Sequence, residues 1–342
     1  MPDAVNRRWL LAKYPQGMPS LDTWTLEVAP APKPGPGQIL VKARFLSVDP
    51  YMRGRISPAA NYARSVALGE VMRGGGVGEV IVSHHPEWRP GDFAETMGFG
   101  WQEWAVLSPG RSGPEGVNRI DPSLAPIESS LSWLGMPGLT AYFGLIEVGR
   151  PRPGDTVAVS AASGAVGQLV GQIAKIAGCR AVAIAGSEEK LAWCRDLGFD
   201  AGLNHRTERD LAAAVKTACP NGVEVFFDNT AGPIHDAVMA NLAAGARVVI
   251  CGRIARASRF DEPDIGERFL ADLIIKRAVV SGFLVLDWWH RRDEALARLA
   301  SWRRDGRLRY REDVIDGIER MPEAFLRLLS GENFGKQLVR VG

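Results

Sequence analysis

Two rhythms of apolar and polar residues divide this chain near residue 129. Before that point short apolar runs lie between turn clusters: Ile39–Val48 follows the Pro/Gly cluster Pro32–Gly37, and Gly78–Val82 precedes the turn His84–Asp92. Runs bounded by proline and glycine predict strands, and this segment reads as a small β-barrel. After it, β-branched runs at Thr156–Ser160, Ala181–Ala185, Val223–Phe227, Arg247–Cys251 and Ala278–Val285 alternate with stretches of helical period. Five strands separated by helices predict a parallel, doubly wound sheet. Trp288–Leu308 reads as a charged amphipathic helix and Gly335–Val341 as one more strand. No helix follows that last strand, so the chain is expected to return to the first domain. The predicted division is 1–128 with 307–342 for the barrel and 129–306 for the doubly wound domain, without internal repeats.

Composition agrees with two folded domains. The 342 residues exceed the roughly 250–300 that one hydrophobic core serves. With 46% apolar and 23% charged residues, the chain is neither disordered nor collagenous. Its 41 basic and 39 acidic side chains leave a net charge of +2 without a basic block, so nucleic acid is not an expected partner. No apolar run approaches the roughly 18 residues of a membrane span, and the first ten residues lack a signal-peptide core, so a cytoplasmic protein without membrane association is expected. Cys179, Cys194, Cys219 and Cys251 form no C-x-x-C pair; they read as buried apolar filler rather than a disulfide framework or zinc knuckle.

The most informative segment runs from Thr156 to Lys175, a strand passing through a small-residue turn into a helix. Gly164 and Gly167 occupy the second and third glycine positions of G-x-G-x-x-G, with Ala162 at the first. Gly164 lets backbone approach a pyrophosphate, Gly167 lets the helix lie close on the sheet, and the helix-start amides from Ser163 through Ala165, Val166 and Gly167 bind the anion. The second strand ends in Gly186-Ser187, where NAD-binding relatives of this motif carry an acid for the ribose 2′-hydroxyl. A neutral corner with Lys190 one turn later and Arg206 after the third element suits a 2′-phosphate, so NADP(H) is the expected cofactor. Glu188, Glu189 and Lys190 are also what an exposed first helical turn carries.

Several segments together identify the chain as resembling the medium-chain dehydrogenase/reductase superfamily, in its zinc-independent branch of prostaglandin, leukotriene and curcumin reductases, the NADP-dependent alkenal/one double-bond reductases. They are Ser47–Arg55, Gly100–Val106, Leu134–Leu145, Ala161–Gly167, Gly186–Lys190, Phe227–Gly232, Ser281–Val285 and Asn333–Val339. Ser47–Arg55, with its V-D-P-Y-M-R-G-R run, is the most specific. The resemblance implies an α/β protein with a Rossmann doubly wound parallel sheet beside a GroES-like β-barrel domain, pairing as a homodimer through the Rossmann domain. It also implies Lys190 on the 2′-phosphate, Asn229 near the cofactor, Phe283 and Val285 beside the nicotinamide, and Asn333 reaching the cofactor from the tail. Two matching runs depart from the family pattern. Asn204-His205-Arg206 replaces an N-Y-K-like run at the phosphate, and the run opened by Cys251 has Ala257 where relatives place a tyrosine near the substrate carbonyl. Trp104 replaces a further tyrosine, a change of packing.

The expected activity is NADPH-dependent reduction of the carbon–carbon double bond of an enone or enal. The candidates for donating to the carbonyl oxygen are the nicotinamide ribose 2′-hydroxyl and Tyr51, the latter with packing at the barrel mouth as its alternative role. A zinc-free quinone reductase and a non-catalytic NADPH-binding redox sensor are the rival readings. No catalytic metal is expected, because no cysteine precedes Cys179 and Leu68–Glu79 holds no histidine. His84 and His85 read as solvated turn residues, His235 and His290 as ordinary helix residues. Ser163 reads as a turn or phosphate residue rather than a nucleophile, and Trp288-Trp289 as packing or a flank of the substrate mouth.

Overall fold

The structure, a computed structural model, describes residues 4–59, 62, 64–111 and 113–342. Met1–Asp3, part of the terminus read for a signal sequence, lie outside the described residues. The chain separates into two compact units, one of 1–132, 257–261 and 312–342, the other of 133–256 and 262–311.

The first unit contains strands β1 (Val5–Leu11), β2 (Trp24–Pro30), β3 (Ile39–Ser47), β4 (Gly76–Ser83), β5 (Phe93–Thr96), β6 (Trp104–Leu107) and β7 (Asn118–Ile120), with the short helix α1 (Met52–Arg55). The second begins with α2 (Met136–Phe143). It continues as β8 (Thr156–Ser160), α3 (Gly167–Ile176), β9 (Arg180–Ala185), α4 (Glu188–Asp196), β10 (Ala201–Asn204), α5 (Leu211–Ala218), β11 (Val223–Asp228), α6 (Gly232–Met239), β12 (Leu242–Ile250), α7 (Leu270–Lys276), β13 (Val279–Gly282) and α8 (Arg292–Arg304). The chain then re-enters the first unit as β14 (Glu312–Asp316), α9 (Met321–Leu329) and β15 (Lys336–Arg340).

In the first unit the larger sheet runs β14-β15-β3-β4-β5-β7, with β6 also paired to β3, and β1 pairs β2 separately. The returning strand β15 lies antiparallel to β3, Leu338 opposite Ser47. Leu338, Val77 and Leu131 are buried together there. Leu131 explains why the unit extends past residue 128: the turn Ile127–Leu131 contributes to that core.

In the second unit all six strands are parallel, in the order β10-β9-β8-β11-β12-β13. β8 is buried along its whole length, as a central parallel strand covered on both faces must be. The sixth strand, β10, is only four residues of Ala, Gly, Leu and Asn, too short and small-sided to show in the apolar pattern. The helix expected from Trp288 starts at Arg292. Before it, Trp288 stacks on Phe143 at 5.5 Å and Arg291 pairs with Glu147 at 2.7 Å, which holds Val285–Arg291 in a tighter 3₁₀ turn.

The unit extends to Arg311 because two glutamines of α3 hold that segment as a strand neighbour would. Gln172 donates to the Arg309 carbonyl at 2.9 Å and accepts its amide at 2.7 Å; Gln168 does the same to Arg311 at 3.1 and 3.0 Å. Tyr310, between them, donates its hydroxyl to the Ala165 carbonyl at 3.1 Å.

Candidate functional site

The strand order of the second unit reverses between β8 and β11, and open α/β sheets bind ligands beyond the carboxyl ends of the strands at such a point. β8 ends at Ser160 and β11 at Asp228. Asp228 is wholly buried. One of its oxygens accepts from Ser160 Oγ at 3.0 Å and from the amides of Thr230 and Ala231 at 2.9 and 3.0 Å; the other meets His235 Nδ1 at 2.9 Å. That hydrogen bond holds the His235 pKa above its ordinary value, against the effect of burial. Ala231 has φ +58°, a left-handed conformation that costs an alanine energy, and its amide bond to Asp228 helps hold it. Asn229 is drawn back onto β8: its amide donates to Ser160 Oγ and its side-chain nitrogen to the Ser160 carbonyl, both at 2.8 Å.

The glycine-rich turn follows β8. Ala161 takes φ +49°, and Ala162 is fully buried with its amide on the Ile184 carbonyl at 3.1 Å, so its amide serves the turn. A Cβ on Gly167 would stand 2.4 Å from the Ala161 carbonyl oxygen, whereas one on Gly164 would stand at 3.1 Å. Gly167 is therefore obligatory for the turn itself, while Gly164 keeps the surface low. The amides of Ala165, Val166 and Gly167 donate to no backbone acceptor among the described residues. They lie at the start of α3, whose dipole favours an anion there.

At the end of β9, Ser187 caps α4 by accepting the Lys190 amide at 3.3 Å. β10 pairs with β9 so that Asn204 lies opposite Ala185, which brings the following residues alongside Gly186. A Cβ at Gly186 would be 3.1 Å from both His205 Nε2 and Arg206 Nε; glycine leaves room for them. Glu188 is turned toward Asn204, whose amide nitrogen it accepts at 3.1 Å. Burial, then the positive charges of Arg206 and Lys190, hold the His205 pKa below its ordinary value. Neutral small residues, two cations and an imidazole at one corner fit a phosphate monoester.

Of the remaining sequence-predicted residues in this unit, Phe283 and Val285 are nearly buried; Phe283 packs against Gly144, where a Cβ would meet its ring at 3.1 Å. Cys251 donates its amide to the Asp228 carbonyl at 2.8 Å, and burial pushes its thiol up to about 12, which leaves it protonated and inert.

In the first unit, Tyr51 stands at the head of α1. Its hydroxyl is buried with no hydrogen-bond partner among the described residues, and the Arg55 guanidinium lies 5.3 Å over its ring. Burial first, and the Asp49 carboxylate second, push the phenol far above its ordinary value. Tyr51 thus keeps its proton and has an O–H with which to donate. Asp49, two residues earlier, is buried against Lys336 of β15, Oδ1 to Nζ 2.6 Å, and Lys336 also donates to the Val48 carbonyl at 2.8 Å. Asn333 is buried, with its side-chain nitrogen on the Gly335 carbonyl at 2.8 Å. Ala257 is buried too, and its carbonyl accepts Arg53 Nε at 2.9 Å.

Comparison with known proteins matches residues 7–113 to the N-terminal domain of oxidoreductase and residues 165–301 to the zinc-binding dehydrogenase family. The NADPH-dependent curcumin reductase of Escherichia coli is 39% identical over 98% of this chain and 97% of its own. The NADP-dependent 2-alkenal reductase of Nicotiana tabacum is 38% identical over 99% and 98%. The crystal structure of CurA from Vibrio vulnificus in complex with NADPH superposes with a TM-score of 0.91 at 40% identity, covering 98% and 99%. The chain belongs to the medium-chain dehydrogenase/reductase family, in its curcumin and prostaglandin reductase branch.

This reductase matches a profile described by zinc binding, yet among its described residues no three His, Cys, Asp or Glu side chains gather to hold a metal ion. Nor is any helix among them long and apolar enough to cross a membrane. Sequence reading missed four features. His235 proved a partner of a buried carboxylate rather than an ordinary helix residue. Asp228 had one signal, an acid directly after a wholly apolar strand end. The Asp49–Lys336 pair and the Gln168–Gln172 clamp had none, since their partners lie far apart in the chain.

Proposed function

We propose that this reductase uses NADPH to reduce the carbon–carbon double bond of α,β-unsaturated ketones and aldehydes. Bound NADPH supplies the hydride that adds to the β-carbon of the substrate. The chain's own part begins with position: the amides of Ala165, Val166 and Gly167 take the pyrophosphate, and Lys190, His205 and Arg206 take the 2′-phosphate. Asn229, Cys251, Phe283, Val285 and Asn333 complete the cofactor's surroundings. As negative charge gathers on the carbonyl oxygen, the Tyr51 hydroxyl donates a hydrogen bond to it, and the α-carbon then takes a proton from solvent. The Tyr51 hydroxyl, buried, protonated and without a hydrogen-bond partner among the described residues, is the observation that carries this reading, because a preorganised donor in a dry site stabilises an oxyanion most. The names of the curcumin and 2-alkenal reductases support the substrate class.

The test is NADPH oxidation by the purified protein with a panel of enones, enals and quinones, the products identified by mass. A saturated carbonyl two hydrogens heavier than its substrate is the expected product. Turnover of quinones alone, or tight NADPH binding without any turnover, would overturn the proposal in favour of a quinone reductase or a redox sensor.

The assembly is proposed as a homodimer. β13 ends the six-stranded sheet, and its outer edge carries Val279 and Val280 at 55% and 42% exposure, followed by the exposed Leu284 and Leu286. A second copy laid antiparallel along that edge pairs the open strand and covers those side chains in one isologous contact. Sedimentation of the wild type and of Val280→Lys tests it, with a dimer expected only for the former. A cytoplasmic setting is part of the same proposal, supported by four cysteines held as thiols.

A further inference from the structure

The corner at Gly186 contains one group that changes charge near neutrality. His205 follows β10 directly, its amide on the Ala185 carbonyl at 3.1 Å. Its Nε2 and the Nε of Arg206 stand equally close to the space that a Gly186 side chain would fill, 3.1 Å each. The charged groups acting on the ring are Arg206 on its own turn and Lys190 on α4. Glu188, also on α4, is tied to Asn204, and Glu208 on the same turn as His205 is exposed. Without a ligand the imidazole therefore lies among like charges and half out of water, both of which favour its neutral form.

A phosphate monoester reverses that environment. It carries about −1.5 to −2 charges at pH 7, with a second pKa near 6, and it is recognised here by cations on two elements. Resting on the cofactor reading above, we infer that His205 is a proton-coupled third cation of the 2′-phosphate site: its imidazole is neutral in the free protein and takes one proton from solvent as the 2′-phosphate of NADPH docks. The step makes no covalent bond and needs no co-reactant; the proton moves from water or buffer to the ring nitrogen facing the phosphate. NADH, which has a 2′-hydroxyl, draws no proton there. The coupling gives this reductase a cofactor preference that depends on pH.

The sign follows from linkage. Docking raises the His205 pKa, so its contribution to NADPH affinity is complete below the pKa of the free site, itself under the ordinary 6.5, and disappears as pH rises through that of the complex. Each unit between the two gives about a tenfold difference in affinity. The ligand titrates in the opposite sense, because its dianion binds better and forms as pH rises through about 6. Removing the imidazole therefore reverses the direction of proton exchange rather than merely weakening it.

The experiment is isothermal titration calorimetry of NADPH and NADH into the full-length protein at pH 7, in two buffers of different ionisation enthalpy. His205→Gln and His205→Tyr are measured alongside. The wild type is expected to take up protons with NADPH and none with NADH, and its NADPH Kd to weaken up to about tenfold per unit between pH 6.5 and 8. Both variants should show zero uptake or a small release, with NADPH still preferred over NADH through Lys190 and Arg206. Two variants are used so that misfolding of one does not decide the result. NADPH preference without proton uptake in the wild type, or equal uptake in the variants, overturns the inference while leaving the cofactor reading intact. Equal affinities for NADPH and NADH would instead overturn the cofactor reading itself.

Discussion

Both units of this reductase bring charged side chains together, and they use them for opposite ends. In the first unit Asp49 and Lys336 close on each other at 2.6 Å, with Lys336 at 1% exposure. Every polar contact of the lysine nitrogen stays inside: the carboxylate and the Val48 carbonyl. In the second unit the His205 ring and Arg206 stand beside Gly186, and burial, then the positive charges of Arg206 and Lys190, hold the His205 pKa down. Opposite charges sealed together fix a shape, whereas like charges gathered at a strand end are a site for a ligand of the other sign. The difference teaches where to look for function. Two residues from Asp49, the buried Tyr51 hydroxyl meets no hydrogen-bond partner among the described residues, and the corner at Gly186 carries the charge that suits an anion.

The largest expected effect lies on the sealed pair. Lys336→Met leaves Asp49 buried without compensation and should lower unfolding stability by about 3–5 kcal/mol, read as a reduced denaturant midpoint at constant slope. Asp49→Asn combined with Lys336→Met should recover most of it. A loss below about 1 kcal/mol would mean that the pair does not hold the shape, and the comparison between the units would break.

Next comes the unsatisfied hydroxyl. Tyr51→Phe should lower kcat and kcat/KM together on an enone by roughly a hundredfold, near 3 kcal/mol, with NADPH affinity unchanged. An unchanged kcat would make Tyr51 a packing residue. At the crowded corner, Lys190→Ala should weaken NADPH by about 1.5–3 kcal/mol, the size of a charged hydrogen bond, and NADH little. Fluorescence titration with both cofactors checks this, and equal losses would remove Lys190 from the phosphate. The smallest effect is none: prolonged chelation should leave the rate unchanged. Stoichiometric zinc that leaves together with activity would show a metal centre outside the grouping of side chains described.

Much of the site was legible because it is written locally. Gly164 and Gly167 announce the turn through their spacing, and Gly186-Ser187 followed by Lys190 announces a neutral strand end with a cation one turn on, since strand, turn and helix start are consecutive in the chain. The limits of legibility are equally specific. β10 is too short for a period to show, the 3₁₀ turn before α8 depends on Trp288 finding Phe143, and the domain edges depend on Leu131 and on the Gln168–Gln172 clamp. His235 read as an ordinary helix residue because its partner, Asp228, is an acid that the local pattern places only at a strand end.

The sequence by itself determined the alternation of strands and helices, the glycine-rich turn, the neutral end of the second strand and the family resemblance. Each depends on residues within a few positions of one another, where backbone geometry and side-chain period act directly. Only the tertiary structure decided which charges lie together. Asp49 and Lys336 are 287 positions apart, and they meet because β15 returns to lie beside β3. His205 reaches Gly186 because β10 pairs with β9 in one register. Pairings of that range follow from how strands align across a sheet, and a one-residue slip would turn every side chain to the other face, so no local pattern can specify them.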